Sequence, residues 1–448
     1  MLIPRRYLPW LRRALLLALV LVLGFAIHLT VHTVRARRLF EKTVAQIEAE
    51  GGILDCRAIA PQLERGEPNA SLVLSAVELI LSGTTGAGQG PSEDDIAAAL
   101  LGDEEATARL QEALDPWRFR QVFSLLEGAR NVERANFLVT AESRRLSDPS
   151  GLVSDGLRGP DILLTARGLR ARAAVSSNEG DSAGAYADLD LVFRMARWTE
   201  QENPNLAQSI LAGGIVSRGF DALEKILFAH PPIAEVRGKL LTELEGLELD
   251  GPIPGLRGDR AFHYQSMTGA LRSGWPEHGG DLRSALSRFL EGEQIFEVMT
   301  SYLRVDSALL EVSKVPPFRR PDFLSPYGLR PDWLQLDVIG SPYPGYVIQR
   351  GHSEAQRRDL ARLALAAAAF EEREGRPVTS LEELVPRDLP ELPGDRFTGG
   401  PLKVARQPGL CLVYSVGWDF EDDGGQPREG PAPDAQGDLV WRIRCGSA

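Results

Sequence analysis

The stretch GLCLVYSVGWDFEDDGG, Gly409 to Gly425, followed after a gap by GDLVWRIRC, Gly437 to Cys445, decides how the end of this chain folds. Each apolar run is of strand length and rich in β-branched and aromatic residues, and turn-forming glycines and acids separate them. The pattern predicts two antiparallel strands joined across an acidic loop. Placing Val416 opposite Leu439 brings Cys411 within one residue of facing Cys445, so a disulfide between them is expected in an oxidising compartment. The loop puts four acids, Asp419, Glu421, Asp422 and Asp423, into five positions before Gly424. Alternate acids followed by a glycine echo the first half of a calcium loop, where hard oxygen ligands turn inward and glycine allows the bend. An EF-hand is excluded, because the twelfth position would be Gly430 and no helix pair flanks the loop. The same residues also read as a solvated loop whose charges protect a sheet edge.

Working outward, SEAQRRDLARLALAAAAFEEREG (Ser353 to Gly375) has the spacing of a long amphipathic helix stopped by glycine. Ser380 and Glu383 in the following SLEELV are placed for a capping box. Helix, turn and antiparallel strands together predict an α+β domain over residues 351–448.

The rest of the chain reads as mainly α. With 448 residues it is long enough for two or three units with real cores. The formal charge of −12 argues against nucleic acid as a partner, since phosphate binding needs a basic stripe. Residues 14–34, ALLLALVLVLGFAIHLTVHTV, are apolar enough to cross roughly 30 Å of hydrocarbon as one transmembrane helix in contact with membrane lipid. RARR rather than a small-residue cleavage site follows, which favours an uncleaved anchor over a signal peptide. Arginines flank both ends; the reading adopted is residues 1–13 in the cytoplasm and the bulk beyond the inner (cytoplasmic) membrane, as a single-pass protein. His28 and His32 share one face near the outer end of this helix, where polar side chains reach the interface.

Residues 35–250 read as a helical region, interrupted at Gly51-Gly52 and by the linker GTTGAGQGPS and almost wholly helical in pattern from Asp115 to about Leu249. In Asp161 to Glu200 two apolar faces rich in alanine flank the turn NEGDS, which predicts a helical hairpin. This stretch resembles one tetratricopeptide unit, and arrays of that kind bind protein partners in a groove. Residues 251–350 read as a helical and proline-rich connector. Within it Asp259 and His263 fall on one helical face beside Arg260, the nearest approach to an acid–base cluster and the basis of an alternative reading as a membrane-tethered hydrolase. No GxSxG, HExxH, GK[ST] or CxxC motif accompanies them, so no catalytic residue is assigned.

FEEREGRPVTSLEELVPRDLPELPGDRFTGGPLKVARQPGLCLVYSVGWDFEDDGGQ, followed by GDLVW, is similar to the C-terminal domain of the major pseudopilin of type II secretion. In that family a long helix leads to a DPWG-like turn and a YSxGxDGxxGG…DI stretch that binds calcium. The resemblance implies a pseudopilin-like fold for about the last hundred residues and nominates Asp419 and Asp438 as ligands, with Glu421, Asp422 and Asp423 candidates from spacing. The turn appears here as Asp395-Arg396-Phe397-Thr398-Gly399, and the glycine after the calcium aspartate is Phe420. Gly24-Phe25 has the apolar run mainly before it and Leu29 where a prepilin has glutamate, so the chain reads as no pilus subunit. The expected protein is a noncatalytic envelope component, with an accessory role in a type II secretion-like system as a further alternative.

Overall fold

The computed structural model describes residues 8–59, 63–64, 66–81, 90–136, 159–202, 206–247, 249, 255–258, 260–261, 264–265, 268, 282–319, 343–428 and 436–445. In chain order its longer helices are α1 (Leu8–Ala49), α2 (Ala70–Leu81), α3 (Glu93–Ala99), α4 (Glu104–Leu114), α5 (Trp117–Gly128), α6 (Gly159–Asn178), α7 (Ser182–Glu202), α8 (Leu206–Ala229), α9 (Ala234–Glu245), α10 (Leu282–Ser313) and α11 (Tyr343–Glu374). The strands β1 (Lys403–Gln407), β2 (Leu410–Ser415) and β3 (Leu439–Arg444) form one antiparallel sheet in the order β1-β2-β3. The fold is therefore mainly helical with a small antiparallel sheet.

The chain divides into two compact units, Met1–Cys56 with Arg260–Ala308, and Arg57–Asp259 with Leu309–Ala448. In the first, α1 is long and apolar enough to cross a membrane from Leu15 onward, and its side chains there, such as Leu19 and Val22, are exposed. Its lower turns bury Phe40 and Ile47 against Met299 and Leu303 of α10. Gly51, at φ 77°, ends the helix where an L side chain would be strained.

In the second unit one core runs from Ala70 to Cys445. The turn between α6 and α7 forms because Gly180 takes φ 84° and Asp181 then caps α7, accepting from the Gly184 N–H at 2.9 Å. Ser92 caps α3 in the same way, accepting from Asp95 N–H at 3.0 Å. Phe193 of α7, Phe220 of α8 and Trp441 of β3 form a chain of ring contacts at 5.2 and 6.2 Å, so the helical region and the sheet share buried surface. A fully buried side chain of this size contributes up to about 3 kcal/mol. At the edge of that contact Arg442 of β3 forks onto Glu224 of α8 at 2.5 and 2.9 Å.

Two local expectations are corrected. Leu439 pairs with Ser415, not Val416, so the register is shifted by one and Cys411 faces Ile443. Helix α11 starts at Tyr343, ten residues before Ser353 and inside the segment read as connector; Pro344 sits in its first turn, where the missing N–H costs no helical hydrogen bond.

Candidate ion-binding loop

The register correction places the cysteines. Residues 443 and 445 point to one face of β3, so Cys445 is the diagonal neighbour of Cys411 on that face. The two are joined by a disulfide with Cα atoms 5.7 Å apart. It closes the far end of the hairpin, while the acidic loop leaves from the other end.

Asp395 fixes where that loop begins. Its buried carboxylate accepts from the Phe397 N–H (2.8 Å) and the Ser415 hydroxyl (2.8 Å) through Oδ1, and from the Val416 N–H (3.2 Å) through Oδ2. One side chain thus folds the Asp395-to-Gly399 turn and pins it to the end of β2. Trp418 then docks on α11, its indole N–H donating to Ser353 Oγ at 2.8 Å and to the Gln349 carbonyl at 2.9 Å. Phe420 takes φ 60°, the left-handed conformation that favours glycine, with its ring 6.3 Å from those of Phe397 and Trp418. Aromatic packing thereby accompanies at this position the backbone shape a glycine would adopt freely.

The acids are not equivalent. Asp419 Oδ2 accepts from the Gly437 N–H at 3.0 Å, and Oδ1 from the Glu421 N–H at 3.2 Å. Asp422 accepts from Lys403 Nζ at 2.5 Å, Tyr414 Oη at 3.0 Å and the Gly424 N–H at 3.1 Å. The Lys403 ammonium, then the Gly424 N–H, hold its carboxyl below the usual value, whereas burial and then the Asp422 carboxylate push the Tyr414 hydroxyl up to about 12. Glu421 is exposed and Asp423 half-buried. Asp438 is buried at 1% exposure, and its Oδ2 accepts from the Gly425 N–H at 2.7 Å. Its Oδ1 is buried and accepts no hydrogen bond of normal length, the Asp423 N–H acting on the carboxylate only from farther off. Burial raises the Asp438 pKa, the charges of Asp423 and Asp422 add to this, and the N–H groups of Gly425 and Asp423 oppose it.

Among the described residues, no three or more His, Cys, Asp or Glu side chains gather in a ready metal cage. Asp419 and Asp422 are turned onto protein donors, and the Asp438 Oδ1 is the loop oxygen left buried without one. An orphaned carboxylate oxygen beside two further carboxylates suits a hard cation, with Asp438 central and Asp422 and Asp423 nearest in charge. Asp259 and His263 lie outside the described residues. His28 and His32 are on one face of α1 with ring centroids 4.3 Å apart.

Sequence reasoning missed Asp395 as the organising residue, although its signal was present: an aspartate opening a turn that ends in Thr-Gly-Gly is a typical side-chain-to-backbone turn former. It also missed Lys403, which reaches Asp422 from β1. Compared with protein-family models, curated proteins and solved structures, the chain gives no match to any of them.

Proposed function

We propose that this is a noncatalytic, single-pass protein of the cell envelope, with a tetratricopeptide-like helical region that binds a protein partner and a pseudopilin-like C-terminal domain stiffened by calcium. The membrane reading is supported by α1, apolar and exposed from Leu15. The inner membrane, with the bulk of the chain outside the cytoplasm, is the location that suits a calcium module and a disulfide. The observation that carries the ion assignment is the unpartnered, buried Oδ1 of Asp438 beside Asp422 and Asp423. A cation there would satisfy the orphan oxygen and relieve repulsion, so that the loop closes between β2 and β3. Its role is structural.

The test is calorimetric calcium titration of the full chain in detergent micelles, beside an Asp438→Asn variant, with melting followed in calcium and in chelator. An extracellular-type affinity of about 0.1–1 mM gives about 1.4–2.7 kcal/mol of stabilisation at roughly 10 mM calcium. Saturable heat and a raised melting point, both lost in the variant, are expected. Absence of heat in the wild-type chain removes the calcium assignment and leaves the loop as a solvated hairpin end.

A further inference from the structure

A second site lies away from the acidic loop, in the same compact unit. Beside α11 a cleft of about 670 Å³ opens between the segment after α10 and the segment leading to β1. That volume is within the range of small-ligand and peptide side-chain sites. Pro316, Pro317 and Phe318 form one wall, and Leu389, Leu392 and Pro393 the other. Phe318 is 38% exposed although its ring abuts Gly399, where an added Cβ would lie 2.9 Å from it. Helix α11 supplies the polar floor through Arg358, Asp359 and Arg362.

The charges on that floor do not cancel. Asp359 is engaged by Arg396, whose Nε and a terminal nitrogen reach its Oδ2 at 2.8 and 2.7 Å. Asp359 Oδ1 is 3.6 Å from Arg358, which also donates to the Leu247 carbonyl at 3.3 Å. Asp395, at the end of the cleft, is consumed by the donors of its own turn. Arg362 is held only loosely, by an ion pair to Glu245. Its Nε is buried with no hydrogen-bond partner, and its nearest acid is the exposed Glu245 at 3.8 Å, beyond hydrogen-bonding distance. A guanidinium with an orphan N–H in a partly desolvated cleft is a fork for a carboxylate, and the apolar walls ask for an apolar group beside that charge.

We propose that this cleft binds a peptide carrying a carboxylate next to an apolar side chain, with Arg362 pairing with the carboxylate and the Phe318 and Leu389–Pro393 walls holding the apolar group. The site does not depend on calcium at the acidic loop, and its occupant differs from the partner of the helical region in being selected by charge.

The test uses fluorescence anisotropy with the full chain in micelles and a dye-labelled probe, Gly-Gly-Leu-Pro-Phe with a free C-terminal carboxylate, against the same peptide amidated. In the wild-type chain the acid is expected to bind at least tenfold more tightly than the amide, since a charge-assisted pair contributes about 1.5–3 kcal/mol. Arg362→Gln is expected to erase that preference while leaving the weaker amide binding, and Arg362→Lys to restore part of it. Arg362 is about a third exposed at its side chain, which makes both variants compatible with folding. No saturable binding of the acid, or an acid-to-amide ratio unchanged in Arg362→Gln, overturns the proposal. Displacement of the peptide by inorganic phosphate at equal concentration overturns the peptide assignment in favour of a general anion site.

Discussion

Replacing Asp395 by alanine is expected to be the most damaging single change in the C-terminal region. Asp395 is 1% exposed and its carboxylate holds three backbone N–H groups, those of Phe397, Thr398 and Val416, and the Ser415 hydroxyl. Alanine offers these donors no acceptor. Each buried donor left unmade costs about 1–3 kcal/mol, and the unburied carboxylate desolvation returns part of the sum, so a net loss of about 4 kcal/mol is expected. Ser415→Ala removes one partner only and should cost about 1 kcal/mol. Because both changes sever the same bond, the double variant should lose about 1 kcal/mol less than the two single losses added together. Urea unfolding of the full chain reads these values, with tryptophan fluorescence as the signal, since Trp418 stands edge-on to Phe397 at 5.1 Å. A shift in midpoint at constant slope is the expected form. If Asp395→Ala lies within about 1 kcal/mol of the wild type, or the pair is strictly additive, Asp395 is not the hub inferred here.

Three further outcomes are expected. Glu224→Ala leaves the Arg442 guanidinium, 31% exposed, without its bidentate partner, and should cost about 2 kcal/mol by thermal or urea unfolding; a neutral result would mean that the fork adds nothing to the packing of α8 on β3. Glu354 on α11 is buried, and burial raises its pKa, with Arg357 and Arg350 opposing. A raised acid makes the fold bind more protons than the unfolded chain, so its contribution is present below 4.5 and lost as pH rises through the folded value; Glu354→Gln should therefore flatten that limb and raise stability at neutral pH, and an unchanged pH profile would contradict the sign. Burial likewise raises Asp438 above 3.8, so protons should compete with calcium at a higher pH than at an ordinary aspartate, and the calorimetric affinity should weaken as pH is lowered; a pH-independent affinity would place the ion elsewhere.

How much of this was legible in the sequence depends on the range of the interaction involved. Local signals were readable: the Gly180-Asp181 turn between α6 and α7, the Ser380–Glu383 capping box and the apolar run of α1 all depend on residues within a few positions of each other. The strand register was not. In β2 the residues Val413, Tyr414 and Ser415 are all buried, so both faces of the strand are covered and hydrophobic alternation does not select one. The covering element is equally invisible, because the Glu224–Arg442 pair joins positions 218 residues apart. In the loop, spacing presented Glu421, Asp422 and Asp423 as equals, and only the resemblance added Asp438. The structure separates them by burial, exposing Glu421 and enclosing an unpaired oxygen of Asp438.

The two halves of the acidic loop are held by different means, and this locates where a cation would act. Its first half is tied down by Asp395 through Val416 and by Trp418 through Ser353, both short contacts to buried parts of the unit. Its return is tied by Asp438 to Gly425 and by the bridge between Pro427 and Asp438. Between these anchors lie Glu421, Asp422 and Asp423, whose mutual repulsion is countered by the single ammonium of Lys403 at Asp422. Neutralising charge there would act on the closure of the loop more than on the centre of the hydrophobic core, since Val413 and Trp441 lie in the strands, in the core cluster that also takes in residues of α8 and α11. On the calcium reading proposed above, the ion would act on loop closure, while the disulfide at the opposite end of the same hairpin ties β2 to the end of β3.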